Sequence, residues 1–109
     1  MQLRRIVPAT AFLLAVLAST TAAQAQDPVA HGRALLKEFC AGCHAIGKTG
    51  RSRHVGAPPF RYLGRSYDLD QFPQMLERGF SSGHPDMPTY KFIGRDARDA
   101  ADYLRTIQE

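Results

Sequence analysis

Cysteine is scarce in this 109-residue chain: only Cys40 and Cys43 are present. That excludes a scaffold held by several disulfides, and a bridge between thiols three positions apart closes too small a loop to staple a fold. Beyond the short run Ala11–Ala18 no apolar stretch approaches the length of a membrane span. Internal repeats and low-complexity linkers are missing, which leaves one small domain. No run reads as a β-strand. Acidic residues are absent between Glu38 and Asp68, so Lys48, Arg51, Arg53, Arg61 and Arg65 have no carboxylate nearby in sequence.

The amino-terminal segment carries its own instructions. Arg4 and Arg5 supply a positive start, Ala11–Ala18 an apolar centre and Ala23-Gln24-Ala25 small residues before Gln26. Residues 1–25 therefore read as a secretory signal peptide, with an uncleaved anchor as the alternative. The remaining domain, 26–109, is expected in the periplasm. Removing Arg4 and Arg5 from 14 basic residues, set against 10 acidic ones, halves the formal excess of +4. That small excess argues against nucleic acid as a partner. The basic stretch and the later acids Asp96, Asp99 and Asp102 predict a dipolar surface able to steer association.

Helical signals account for most of the domain. Asp27-Pro28 is an N-cap followed by proline at the first helical position, and Val29, Gly32, Leu35, Leu36 and Phe39 share a face. Gly32 inside that helix predicts close approach by another backbone or an aromatic ring. Residues 47–64, rich in Gly, Pro and Arg, read as a loop. A second helix is expected from about Asp70 to Phe80, with Pro73 in its first turn. Residues 81–88 read as loop again. A last helix is expected over Arg95–Gln108, with Ala97, Ala101, Leu104 and Ile107 on one stripe. The fold class is all-α, three to four helices with long loops that need something to wrap.

Cys40-Ala41-Gly42-Cys43-His44 supplies that something. C-x-x-C-H is the attachment pattern of a c-type haem: two thiols bond one edge of the porphyrin, and the adjacent histidine reaches iron. The competing chemistries are zinc, which needs a fourth ligand such as His54 or His84, and a redox dithiol, which wants a strand before the motif. One haem c per chain, covalent through Cys40 and Cys43, gives an undersized domain a large apolar insert. Its propionates would bring the net charge near zero. His44 is the proximal iron ligand by its place in the motif. For the sixth position Met87 stands between Pro85 and Pro88, in a stiff loop; Met75, on a predicted helix, and His31, His54 and His84 are the competitors.

Taken together these motifs resemble a class I c-type cytochrome, the small soluble monohaem kind, over essentially the whole of 26–109. The resemblance implies the small cytochrome c fold wrapped around one covalent haem, with Met87 as the sixth ligand. It implies that the first and last helices cross through Gly32 and Phe39 against Tyr103 and Leu104. It also implies that Pro58, in Ala57-Pro58-Pro59-Phe60, offers a carbonyl to the His44 ring; the family's usual Gly-Pro-x-Leu departs here, and Pro59 is adjacent. The expected role is a periplasmic carrier of single electrons rather than an enzyme, monomeric when free, docking on redox proteins with acidic surfaces. A dedicated haem subunit of a larger dehydrogenase or oxidase, and a gas-binding haem protein with an open sixth site, are the alternatives. Tyr62, Tyr67 and Tyr90 read first as core packing and second as walls of the haem pocket.

Overall fold

The computed structural model describes residues 27–109; the signal peptide read over 1–25 lies outside the described residues. Asp27 opens helix α1 (Pro28–Phe39), its Oδ1 accepting the Val29 N–H at 3.0 Å while Pro28 occupies the first turn. Helix α3 (Gly94–Ile107) closes the chain, and these two helices make the most extensive packing in the domain. Their crossing is a backbone contact. A Cβ on Gly32 would fall inside the Asp99 carbonyl, and the facing positions Ala97, Ala100 and Ala101 are completely buried. Gly32 thus meets Asp99 and Ala100, one turn before Tyr103 and Leu104, while the Phe39 ring turns to Phe92 and Tyr90.

The polar groups at the crossing are closed among themselves. Asp99 is buried, and its carboxylate accepts from His31 Nδ1 at 2.7 Å and from Arg95 Nε at 3.1 Å. His31 Nε2 lies 3.5 Å from Asp96. A buried carboxylate without such donors costs several kcal/mol.

The fold is all-α, as the periodicities indicate, with differences in detail. Among the described residues there is no strand, only a single antiparallel bridge between Phe80 and Tyr90. The stretch expected to be loop to residue 64 ends in a 3₁₀ helix, Phe60–Arg65. Three residues per turn bring Phe60 and Leu63 onto one side, and both are buried. Gln108 ties this helix to α3: its Nε2 donates to the Phe60 and Leu104 carbonyls at 2.8 and 2.9 Å, and its Oε1 accepts from Gly64 N at 2.7 Å.

Helix α2 (Phe72–Arg78) is shorter than its periodicity suggests. Asp68 takes its own downstream amides, from Asp70 at 2.9 Å and Gln71 at 3.1 Å, holding the start in a turn. Gly79, at φ +98°, stops the other end, and Phe80 leaves to pair with Tyr90. No helix among the described residues is long and apolar enough to cross a membrane.

Candidate functional site

The core has a hole in it. Leu36, Phe60, Leu63, Phe72, Leu76 and Phe92 each bury one side against neighbouring helices and turn another toward an open-mouthed cleft of about 270 Å³. The carboxyl end of α1, the 3₁₀ helix, α2 and the loop after Phe80 all contribute to its walls. Its mouth carries the chemically active side chains Cys40, Cys43, His44, His54, His84 and Met87.

The C-x-x-C-H segment winds into one tight turn beyond α1. Cys40 accepts with its carbonyl from both Cys43 N (3.2 Å) and His44 N (2.9 Å), which gathers the two sulfurs and the imidazole on the same wall. Neither thiol is bonded to the other. Burial, reinforced by the neighbouring Cys43, pushes the Cys40 thiol up to about 11. That runs opposite to a catalytic dithiol, whose nucleophilic sulfur has a lowered pKa.

His44 is held by two contacts. Its Nδ1 lies 2.8 Å from the Pro58 carbonyl oxygen, and its ring stacks on Phe60 at 4.5 Å between centroids. A carbonyl only accepts, so Nδ1 carries the proton and Nε2 keeps a free lone pair. The bond is to Pro58 and not to Pro59. Phe60 N–H in turn donates to Ala45 O at 2.9 Å, joining the 3₁₀ helix to the residue after His44.

Met87 enters the cleft from a different loop. Its N–H donates to His84 O at 3.1 Å, and the Asp86 N–H donates to His84 Nδ1 at 3.2 Å. The competing residues are placed elsewhere or engaged. Met75 packs against the core beside Tyr67 and Arg78 and does not line the cleft. His31 is committed to Asp99 at the helix crossing. His54 and His84 stand at the mouth edge-to-face, 5.8 Å apart, and His54 Nε2 contacts Asp86 Oδ2 at 3.1 Å. Among the described residues no three His, Cys, Asp or Glu side chains converge to hold a metal ion, so the zinc reading finds no ligand set.

Tyr67 and Tyr90 line the cleft, whereas Tyr62 does not. Its ring is covered by the guanidinium groups of Arg61 (4.7 Å) and Arg65 (4.3 Å), a surface cation–π stack. Lys48, Arg51, Arg53, Arg61 and Arg65 make no ion pair among the described residues, while Arg105 of α3 is paired with Asp70 and Asp102. Sequence reasoning missed the Gln108 tie, the contact of His54 with Asp86 and the bond from Tyr103 Oη to Ile46 O at 2.6 Å. Partners 32 to 57 residues apart leave no local pattern to find.

The donor set fits a covalently held haem. Two unpaired thiols and an imidazole with one free lone pair share a wall, a thioether enters from another loop, and the lining between is apolar. Comparison with known proteins points the same way. The chain is similar to cytochrome c-552 of Bradyrhizobium diazoefficiens, 29% identical over 96 residues, which cover 88% of this chain and 89% of that protein. No family model matches the chain, and no solved structure matches it.

Proposed function

We propose that the chain is an exported, monohaem electron carrier of the class I c-type cytochrome kind, working in the periplasm. The observation that carries the proposal is His44: its Nδ1 is spent on Pro58 O while its other nitrogen is left free beside two unpaired thiols. Resemblance to the relative named cytochrome c-552 supports the same reading. In it Cys40 and Cys43 would hold the haem through their sulfurs, and His44 and Met87 would be the side chains that ligate its iron. The haem supplies a one-electron ferric/ferrous couple.

The remaining work belongs to the chain. Pro58 O fixes the His44 tautomer and ring plane and raises the basicity of the ligating nitrogen. Phe60 stacks on the same ring and limits its rotation. Met87 presents a soft thioether, which favours the reduced state and raises the potential relative to a second histidine. Leu36, Leu63, Phe72, Leu76 and Phe92 keep water from the interior. An iron held by both His44 and Met87 would have no position for a substrate, and electron exchange would be the chemistry left to it.

Redox partners meet the chain at the cleft mouth, where Cys43 is exposed, through a small interface that releases quickly. Lys48, Arg51, Arg53, Arg61 and Arg65, which make no ion pair among the described residues, attract an acidic docking surface. An absorbance spectrum of the haem-loaded protein tests the ligand set. A low-spin ferric form with the weak long-wavelength band of methionine–iron ligation is expected. Met87→Ala abolishes that band and admits carbon monoxide, and Met75→Ala does neither. Persistence of the band in Met87→Ala rejects the assignment.

A further inference from the structure

One contact at the cleft mouth is not used by that reading. His54 is anchored by its backbone to the attachment turn itself, its N–H donating to Cys43 O at 3.1 Å. Its carbonyl accepts from Ala57 N at 3.2 Å, which closes the surrounding turn. Its side chain then crosses to the other loop, where Nε2 reaches Asp86 Oδ2 at 3.1 Å. A carboxylate accepts, so Nε2 is the donor. Asp86 is the residue before Met87, and its own N–H donates to His84 Nδ1. The His84 carbonyl in turn accepts from Met87 N, and the His84 ring packs edge-on against His54. An unbroken series of contacts therefore runs from Cys43 through His54, Asp86 and His84 to Met87.

We infer that His54 and Asp86 form a clasp across the cleft mouth, positioning the Met87 loop against the attachment turn and setting how readily Met87 leaves the iron. This rests on Met87 being the sixth ligand. Neither side chain touches the iron; both act through the loop that carries Met87. Without the clasp that loop keeps its internal bonds from His84, Ser82 and Ser81, the edge-on packing of the two histidine rings and the Phe80–Tyr90 bridge at its base. The clasp is exposed, His54 at 36% and Asp86 at 65% of their side-chain surface, so its effect is modest and specific.

The test is a double-mutant cycle on the haem-loaded ferric protein, with imidazole as the probe. At saturating imidazole the binding rate reports Met87 departure. His54→Ala and Asp86→Ala are each expected to raise it about two- to five-fold, the upper part of the range open to an exposed hydrogen-bonded pair. The double variant is expected to go no further than either single one. His54→Gln, which keeps a side-chain donor, is expected to stay close to the parent. Singles indistinguishable from the parent, or effects that multiply in the double variant, overturn the clasp.

A parent lacking the methionine–iron band would instead defeat the ligand assignment. The clasp is then judged on amide exchange at Met87, which is expected to quicken about two- to five-fold in both alanine variants, again within the range of an exposed pair. Unchanged exchange there overturns it as well.

Discussion

The crossing of α1 and α3 and the cleft on its flank sit within a few residues of each other on the same helix, yet they treat polar groups in opposite ways. At the crossing every valence is used: Asp99 takes donors from His31 and Arg95, and the helices meet backbone to backbone at Gly32. At the cleft, reached one turn beyond Leu36, valences are left over. Two thiols stay unbonded, and the imidazole of His44 spends one nitrogen and keeps the other. A domain this small has little apolar surface to spare, and it still turns Phe60, Leu63, Phe72 and Leu76 toward the cleft. The crossing is finished by its own residues; the cleft is built to be finished by something else.

The largest consequence concerns the chain before that completion. Without a haem, the apolar walls of this cleft of about 270 Å³ are left facing water, and a small domain has little stability to offset that exposure. The haem-free chain is therefore expected to lose its cooperative thermal transition and its near-ultraviolet dichroism, both restored on attachment. Iodoacetamide gives a second readout through Cys40. In the folded chain burial disfavours the thiolate and holds its pKa near 11. The folded state therefore binds that proton more tightly than the unfolded one, and any stability the haem-free fold has falls as pH rises from 9.0 towards 11. Equal alkylation of Cys40 and Cys43 at pH 9 is the expected result for the haem-free chain. Selective protection of Cys40 would show that the cleft persists empty and that the contrast with the crossing is overdrawn.

The crossing itself is the next place to press. Gly32→Val puts side-chain atoms into the Asp99 backbone and is expected to remove about 3 kcal/mol, read as a fall in the melting temperature of the haem-loaded protein. This glycine was legible from sequence because a helix interior rarely tolerates one without a reason. So was the start of α1, where an aspartate and a proline carry the signal in two adjacent residues. The pairing of this helix with Tyr103 and Leu104 came from the family resemblance and not from periodicity, and the atoms nearest to Gly32 belong to Asp99 and Ala100, since a stripe on α3 fixes a face but not the height of the contact. The 3₁₀ helix was not legible at all: a single Phe60–Leu63 pair is too short to show a period. The true start of α2 was hidden for a different reason, since Asp68 captures downstream amides that the hydrophobic spacing alone assigned to the helix. At the cleft, the attachment motif was plain in five consecutive residues, while the clasp of His54 with Asp86 joins loops whose relation only the folded chain supplies.

Asp99 measures how completely the crossing is closed. Asp99→Ala removes the buried acceptor that His31 and Arg95 share, with an expected loss of about 2 kcal/mol in a chemical denaturation experiment. Asp99→Asn keeps an acceptor and the shape, and is expected to cost less. The methionine–iron band is expected to stay unchanged in both, because no contact of Asp99 reaches the cleft lining. A shifted band in Asp99→Asn would mean that the two regions are not independent.

Gln108 is where they do touch. Its side-chain amide caps α3 through Leu104 O and simultaneously holds Phe60 O and Gly64 N of the 3₁₀ helix, the element whose Phe60 ring underlies His44. Gln108→Ala removes three hydrogen bonds near the surface, where water replaces part of what is lost, so the expected cost is about 1 kcal/mol. Its local signature is more telling than its size. Amide exchange at Gly64 is expected to accelerate, while exchange within α1 stays at the global rate. The Ala45–Phe60 and His44–Pro58 bonds still hold the imidazole from the other side, so the ferric spectrum is expected to stay low-spin. Were Gln108→Ala to weaken the proposed ligation by His44 instead, the last turn of α3 would count as part of the cleft, and the division between a self-completed crossing and an open pocket would have to be redrawn through the 3₁₀ helix.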